Sequence, residues 1–160
     1  MVNETDKKYL KRCIELAEEA LGKGDSPFGS ILVSAEGEVL FEDHNHTSGG
    51  DHTQHPEFNI ARWAGQNMTP EERAKATVYT SGEHCPMCSA AHGMAGLGRI
   101  VYATSSKQLG EWMEEMNVSK QSKVYGLSIQ EVIKNPTVDG PVLELAEEVK
   151  ALHRQYYSNS

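Results

Sequence analysis

Cys85-Pro86-Met87-Cys88 stands thirty positions after His55-Pro56-Glu57, and these two segments restrict the chain more than any other feature. Two thiolates at C-x-x-C spacing and one distant imidazole make three zinc ligands. A structural zinc is closed by four protein ligands, whereas a catalytic one keeps its fourth position for water. His55, Cys85 and Cys88 make three, and Glu57 lies two residues past the histidine, where a carboxylate can work on water without being a ligand. A redox dithiol would account for the cysteines but would not need the H-x-E element upstream. His52 is the competing imidazole; Thr53 and Gln54 follow it, so it lacks a carboxylate at the required offset and reads as a loop residue. Both halves fall where a loop or strand enters a helix, and the positive end of a helix favours thiolates. Glu57 also complements a helix start, a role compatible with catalysis.

A chain of 160 residues suits one domain spanning 1–160 with one substantial core. Its 38% hydrophobic and 24% charged residues are ordinary for a globular protein. No apolar run reaches the roughly 18 residues of a membrane span, and the polar opening from Met1 to Gly24 is unlike a signal peptide. Three cysteines, two in one C-x-x-C, suit a reducing compartment, which predicts a cytoplasmic protein. A net charge of −8 and a pI near 5.3 argue against a nucleic-acid partner.

Tyr9, Leu10, Cys13, Ile14, Ala17 and Leu21 mark one face of a helix over 6–21, with Cys13 a core thiol. Segments 28–33 and 39–41 read as a hairpin, and 43–54 as a polar loop delivering His55 to a helix that ends near Gly65. A strand at 77–80 leads to a helix opened by Cys85 and ending at Gly96 or Gly98. A strand at 100–103, a helix around 108–116, a short strand at 124–127 and a closing helix at 141–157 complete the chain. Strands alternating with helices predict a three-layer α/β sandwich. His44, His46, His84, His92 and His153 are expected at the surface or hydrogen-bonded.

The H-x-E and C-x-x-C elements together form the signature of zinc deaminases. The chain resembles the cytidine deaminase-like superfamily, and within it the bacterial branch of guanine, cytosine and tRNA adenosine deaminases. Asp51-His52-Thr53-Gln54-His55-Pro56-Glu57 resembles the family's D-P-T-A-H-A-E, and Tyr79-Thr80-Ser81-Gly82-Glu83-His84-Cys85-Pro86-Met87-Cys88 its Y-T-S-x-E-P-C-x-M-C. The likeness runs from Pro27-Phe28-Gly29 to about Tyr102. It implies an α/β/α sandwich around a mixed sheet of about five strands, one Zn2+ per chain, Glu57 as the proton carrier, and hydrolytic release of ammonia from a cyclic amidine. It also implies a homodimer, and Ala90, Ala91, Gly93, Ala95 and Gly96 would permit close packing there or against the chain's own sheet.

For the substrate, the resemblance implies that Asn45, ten positions before His55, reads the base edge, and that Phe28 lines the pocket. A loop asparagine and a core phenylalanine are the plain alternatives. Pro-Phe-Gly fits free-base deaminases better than the tRNA enzymes, which also end in a basic helix, whereas here Glu144, Glu147 and Glu148 precede Lys150 and Arg154. Glu114 or Glu115 is expected to read an amino group, and Tyr156 or Tyr157 to close the pocket or merely pack the last helix. Two residues depart from the pattern. His84 replaces a proline before the first cysteine, and Pro56 replaces a residue whose backbone N–H, in many relatives, bonds a carbonyl of the base. The expected substrate is a small nucleobase-like heterocycle of guanine, cytosine, isocytosine or triazine type, with water as the second reactant. A tRNA-specific adenosine deaminase is the alternative, and a non-catalytic zinc-stabilised interaction module is a rival of another class.

Overall fold

The computed structural model of the protein describes residues 1–119 and 121–158. Helix α1 (Glu4–Gly22) starts from a reciprocal cap: Asp6 N–H donates to Asn3 Oδ1, and Asn3 N–H donates to Asp6 Oδ2. Leu10, Cys13, Ile14 and Ala17 recur at helical spacing along its buried face. β1 (Gly29–Val33) and β2 (Val39–His44) form the expected hairpin, and a 3-10 turn at Thr47–Gly49 lies in the loop before α2 (Pro56–Asn67). An unforeseen short helix, α3 (Pro70–Lys75), follows, capped reciprocally by Thr69 and Glu72 with proline in its first turn. Then come β3 (Thr77–Gly82), α4 (Pro86–Ala95), β4 (Arg99–Thr104), α5 (Ser106–Glu115), α6 (Ile129–Val132), β5 (Val138–Asp139) and α7 (Leu143–Ser158).

The five strands lie in the order β2-β1-β3-β4-β5, with β1 antiparallel to β2 and β3, and β3, β4 and β5 parallel. This is the mixed sheet expected. Strand side chains alternate between its two faces. Ile31, Val33, Tyr79, Val101 and Ala103 pack on one side with residues of α1 and α7 and with Trp112 of α5. Leu32 and Val78 point the other way, onto Ile60 and Ala64 of α2. Ile100 and Tyr102 meet Ile129 of α6, and α4 packs beside α2. The result is the α/β/α sandwich. At Gly29 a side chain would collide with the backbone of Cys13, so β1 and α1 approach as closely as they do only over glycine.

The expected strand at 124–127 is not present. Val124 is 63% and Tyr125 87% exposed, and no neighbouring strand pairs with them. β-propensity without a surface to cover does not make a strand. The fifth strand is instead Val138–Asp139, pinned where Asp139 accepts from Arg99 Nε and from the Met1 ammonium, each at 2.9 Å. Among the described residues no helix is long and apolar enough to cross a membrane.

Candidate active site

His55 is the N-cap residue of α2 and Cys85 the N-cap residue of α4, and each is followed by a proline at a position where a missing N–H costs nothing. The two packed helices start side by side and bring the distant motifs together. His55 Nδ1 lies 3.5 Å from Cys85 Sγ and 3.5 Å from Cys88 Sγ. Zinc bonds of about 2.3 Å to sulfur and about 2.0 Å to nitrogen, at a tetrahedral angle, separate those donors by about 3.5 Å. The donor set therefore fits zinc in kind and in spacing. His52 is exposed and outside this group.

The three donors also shift one another's pKa values. Contact with Cys88 draws the Cys85 thiol down to about 4 against the effect of burial, and His55 adds to this. The same contact, with burial, pushes Cys88 up. His55 is raised, chiefly by its bond to Cys85.

Glu57, in the first turn of α2, is 6% exposed. Ser30 and Thr80 are directly opposite each other in the β1–β3 ladder, on the face that α2 covers. Ser30 Oγ lies 2.6 Å and Thr80 Oγ1 2.9 Å from Glu57 Oε1, and the two hydroxyls are 2.9 Å apart. Thr80 Oγ1 is also 2.8 Å from the Gly82 carbonyl, which can only accept. Two hydroxyl protons thus serve several acceptors, and the pair can donate to a carboxylate or accept from a carboxylic acid. Burial raises the Glu57 pKa, and the Ser30 bond partly opposes it.

Of the expected substrate residues, Phe28 and Asn45 meet through the backbone, and Pro56 stands between His55 and Glu57. Phe28 is half-buried beside Gly82, where an added Cβ would sit 3.1 Å from its ring, and it meets His153 edge-on at 5.1 Å. Asn45 is buried, and its N–H donates to the Phe28 carbonyl at 3.0 Å. Its Oδ1 accepts from Thr47 N–H (2.9 Å) and Thr47 Oγ1 (2.7 Å). A backbone N–H only donates, so the amide orientation is fixed and Nδ2 is the group left over. Pro56 is buried at the first position of α2.

Glu114 and Glu115 are not brought to the site: both are exposed, and Glu115 pairs with Lys150 at 3.1 Å. Leu109, Trp112, Met113 and Met116 form the inward stripe of α5, which turns 114 and 115 outward. Tyr157 donates to Met113 Sδ, and Tyr156 packs edge-on against Tyr157 at 5.1 Å. The α7 residue against Phe28 is His153, also 6.2 Å from Trp112 and lowered to about 4 by burial. His84 is not the surface or hydrogen-bonded histidine expected, and His153 is not at the surface. Both are buried, and no nitrogen of His84 and not the Nδ1 of His153 has a partner among the described residues. Burial keeps His84 neutral against the His92 ring, edge-on at 5.5 Å. Ser30, Thr80 and His153 were not anticipated. Only His153 carried a signal, lying four and eight residues after the buried Val149 and Leu145.

Residues 3–104 match the model of the cytidine and deoxycytidylate deaminase zinc-binding region, and the chain belongs to that family of zinc-binding domains. A Schizosaccharomyces pombe protein named "probable cytosine deaminase" is 35% identical over 108 residues, 68% of this chain and 65% of that one. A tRNA-specific adenosine deaminase of Haemophilus influenzae is 28% identical over 109 residues, 68% of this chain and 63% of its own length. The matched stretch is thus just under two thirds of either relative. A guanine deaminase structure from Nitrosomonas europaea superimposes with a TM-score of 0.69 over 99% of this chain and 86% of that chain, at 17% identity, and shares its fold.

Proposed function

We propose that the protein, as a single domain over 1–160, is a zinc-dependent aminohydrolase. It would release ammonia from a free nucleobase or a related aminated heterocycle of guanine, cytosine, isocytosine or triazine type. The observation that carries this reading is the buried Glu57 carboxyl, held at one oxygen by Ser30 and Thr80 beside the His55–Cys85–Cys88 donors. Bound by those three residues, a zinc ion would supply Lewis acidity and lower the pKa of a water toward neutrality. Glu57 takes a proton from the attacking water and gives it to the ring nitrogen, then takes the remaining hydroxyl proton of the adduct and gives it to the amine as the carbon–nitrogen bond breaks and the carbonyl forms. Water is consumed and ammonia leaves. Because one carboxyl must be base and then acid, it needs partners suited to both states. The Ser30–Thr80 pair supplies them by turning its hydroxyl protons.

Asn45 offers a donor, its Nδ2, which favours a substrate presenting a carbonyl or ring-nitrogen acceptor to β2. Phe28 offers a ring face or edge, and Pro56 withholds an N–H at the helix start. The charge of −8 and the acidic start of α7 speak for a small substrate over a nucleic acid. A homodimer is supported by α4, which exposes Ala90, Gly93 and an 89% exposed Met94; sedimentation at micromolar concentration checks it.

The deciding experiment is ammonia release by the zinc-loaded protein from a panel of bases, triazines, nucleosides and a tRNA anticodon stem-loop. Turnover of a small base by the parent, and not by Glu57→Gln, is expected. Turnover of the stem-loop alone would replace the proposal with tRNA adenosine deamination. No release from any member would leave a zinc-stabilised interaction module.

A further inference from the structure

A second group of metal-binding side chains converges away from the cysteines. Asp25, His44 and His46 each offer a ligand atom, and these atoms lie within 4.8 Å of one another. Asp25 sits in the turn after α1, fixed by its N–H donating to the Ala20 carbonyl at 2.9 Å, and the histidines flank the exit of β2.

Hydrogen bonds determine which nitrogens are free. His44 Nδ1 lies 2.8 Å from the Asn45 carbonyl, which only accepts, so Nδ1 holds the proton and Nε2 keeps its lone pair. His46 Nε2 lies 2.8 Å from Asp43 Oδ1, so that nitrogen donates and Nδ1 keeps the lone pair. Asp25 Oδ1 accepts from Ser48 N–H at 2.9 Å. Asp43 is held in turn by Asn59 Nδ2 of α2 at 2.9 Å. Each candidate ligand thus has its own orienting partner, which is how metal-binding imidazoles and carboxylates are held. The two imidazole rings stand 4.3 Å apart between centroids. A cation already faces one lone pair: Lys23 Nζ is 3.3 Å from His44 Nε2.

We propose that Asp25, His44 and His46 form a second metal site, distinct from His55, Cys85 and Cys88. Two nitrogen donors and one carboxylate suit a borderline divalent transition ion such as zinc, nickel or copper, and not magnesium or calcium, which prefer all-oxygen sets. The ion would tie the turn after α1 to the exit of β2. Asn45 lies between the two histidines, so binding would stiffen the backbone that presents its amide. The site depends only on these residues and does not rest on any assignment of the reaction.

The test uses tag-free, full-length protein carrying one zinc per chain, titrated with Ni2+ and separately with Zn2+. Bound metal is counted by equilibrium dialysis, and nickel is followed by its absorption spectrum. A second equivalent should bind, without a thiolate charge-transfer band. His46→Gln and Asp25→Asn should each weaken it at least tenfold while the first zinc stays. His46 has a side chain 46% exposed, so its replacement should leave the fold intact even if the buried Asp25 does not tolerate change. Lys23→Met removes the competing ammonium and should tighten the second equivalent several-fold, an effect that a mere hydrogen-bonded loop clamp would not produce. A single equivalent in the parent, a thiolate band appearing with the second nickel, or a second equivalent unmoved by His46→Gln would overturn the proposal.

Discussion

The hydroxyl pair under Glu57 makes a quantitative prediction, because either member can stand in for the other. Ser30 Oγ is 2.6 Å and Thr80 Oγ1 2.9 Å from the same Glu57 oxygen. In Ser30→Ala the Thr80 hydroxyl can turn from the Gly82 carbonyl, 2.8 Å away, to the carboxylate. The net loss is then close to one neutral hydrogen bond, about 1 kcal/mol, or roughly fivefold in kcat. Thr80→Val leaves Ser30 in place and should cost a similar amount. In the double variant Oε1 has no donor from the sheet. Hydrogen bonds to a charged group are worth about 1.5–3 kcal/mol, so the combined loss should reach about 3 kcal/mol, roughly 10²-fold. The coupling between the two sites is then about 1 kcal/mol, above the ~0.3–0.5 kcal/mol scatter of independent sites. The assay is kcat for the best substrate in all four proteins, with zinc content and thermal midpoint measured on each. Additive losses, or a single variant as damaged as the double, would show that the hydroxyls do not share the work of partnering Glu57.

Glu57→Gln should keep its zinc and lose at least 10²-fold in turnover, whereas Cys88→Ala should lose metal and activity together; metal analysis beside kinetics separates the two outcomes. Pro56→Ala should restore an N–H at the start of α2 and shift kcat/KM by a few-fold to about tenfold toward substrates with a carbonyl at that edge, read as the cytosine-to-isocytosine ratio. Asp6, with a side chain 3% exposed, is raised by burial but lowered more by Arg99, Tyr79 and Asn3, and its pKa falls from 3.8 to about 2. A depressed acid stabilises the fold above its unfolded pKa, so this contribution is complete above about pH 5 and is lost as pH falls through 3.8 toward 2. Arg99 is a quarter exposed, and screening reduces the full linkage to about 1–2 kcal/mol. Denaturant unfolding between pH 5 and pH 2 should show this loss in the parent relative to Asp6→Asn, and parallel curves would refute it; acid release of metal affects both proteins and cancels.

The residues that the sequence disclosed and those it hid differ in what determines them. His55, Cys85 and Cys88 are marked by chemical identity at fixed short offsets and by proline-led helix starts, all written in the local chain. The long helices and the β1–β2 hairpin were marked by period. β5 has two residues, set beside Ile100 and Val101 of β4, and Asp139 in it meets Arg99 40 positions away, relations that no local pattern encodes. Ser30 and Thr80 are equally silent: polar residues in apolar strands become a pair only once the β1–β3 register is known.

The acidic residues of α5 and the aromatics of α7 are a different case, because the information was present and pointed elsewhere. Leu109, Trp112, Met113 and Met116 fall at i, i+3, i+4 and i+7, which sends Glu114 and Glu115 to the outer face whatever the loop register. On α7, Leu145, Val149 and His153 share one buried face, so an imidazole is brought against the Phe28 ring. Helical phase outranks residue type in deciding which side chain can reach a pocket, since a carboxylate on the wrong face of a short, packed helix cannot be swung inward without unwinding it. The rings that gather at Phe28 are therefore His153 and, behind it, Trp112, while Glu114 and Glu115 stay on the outer face of α5.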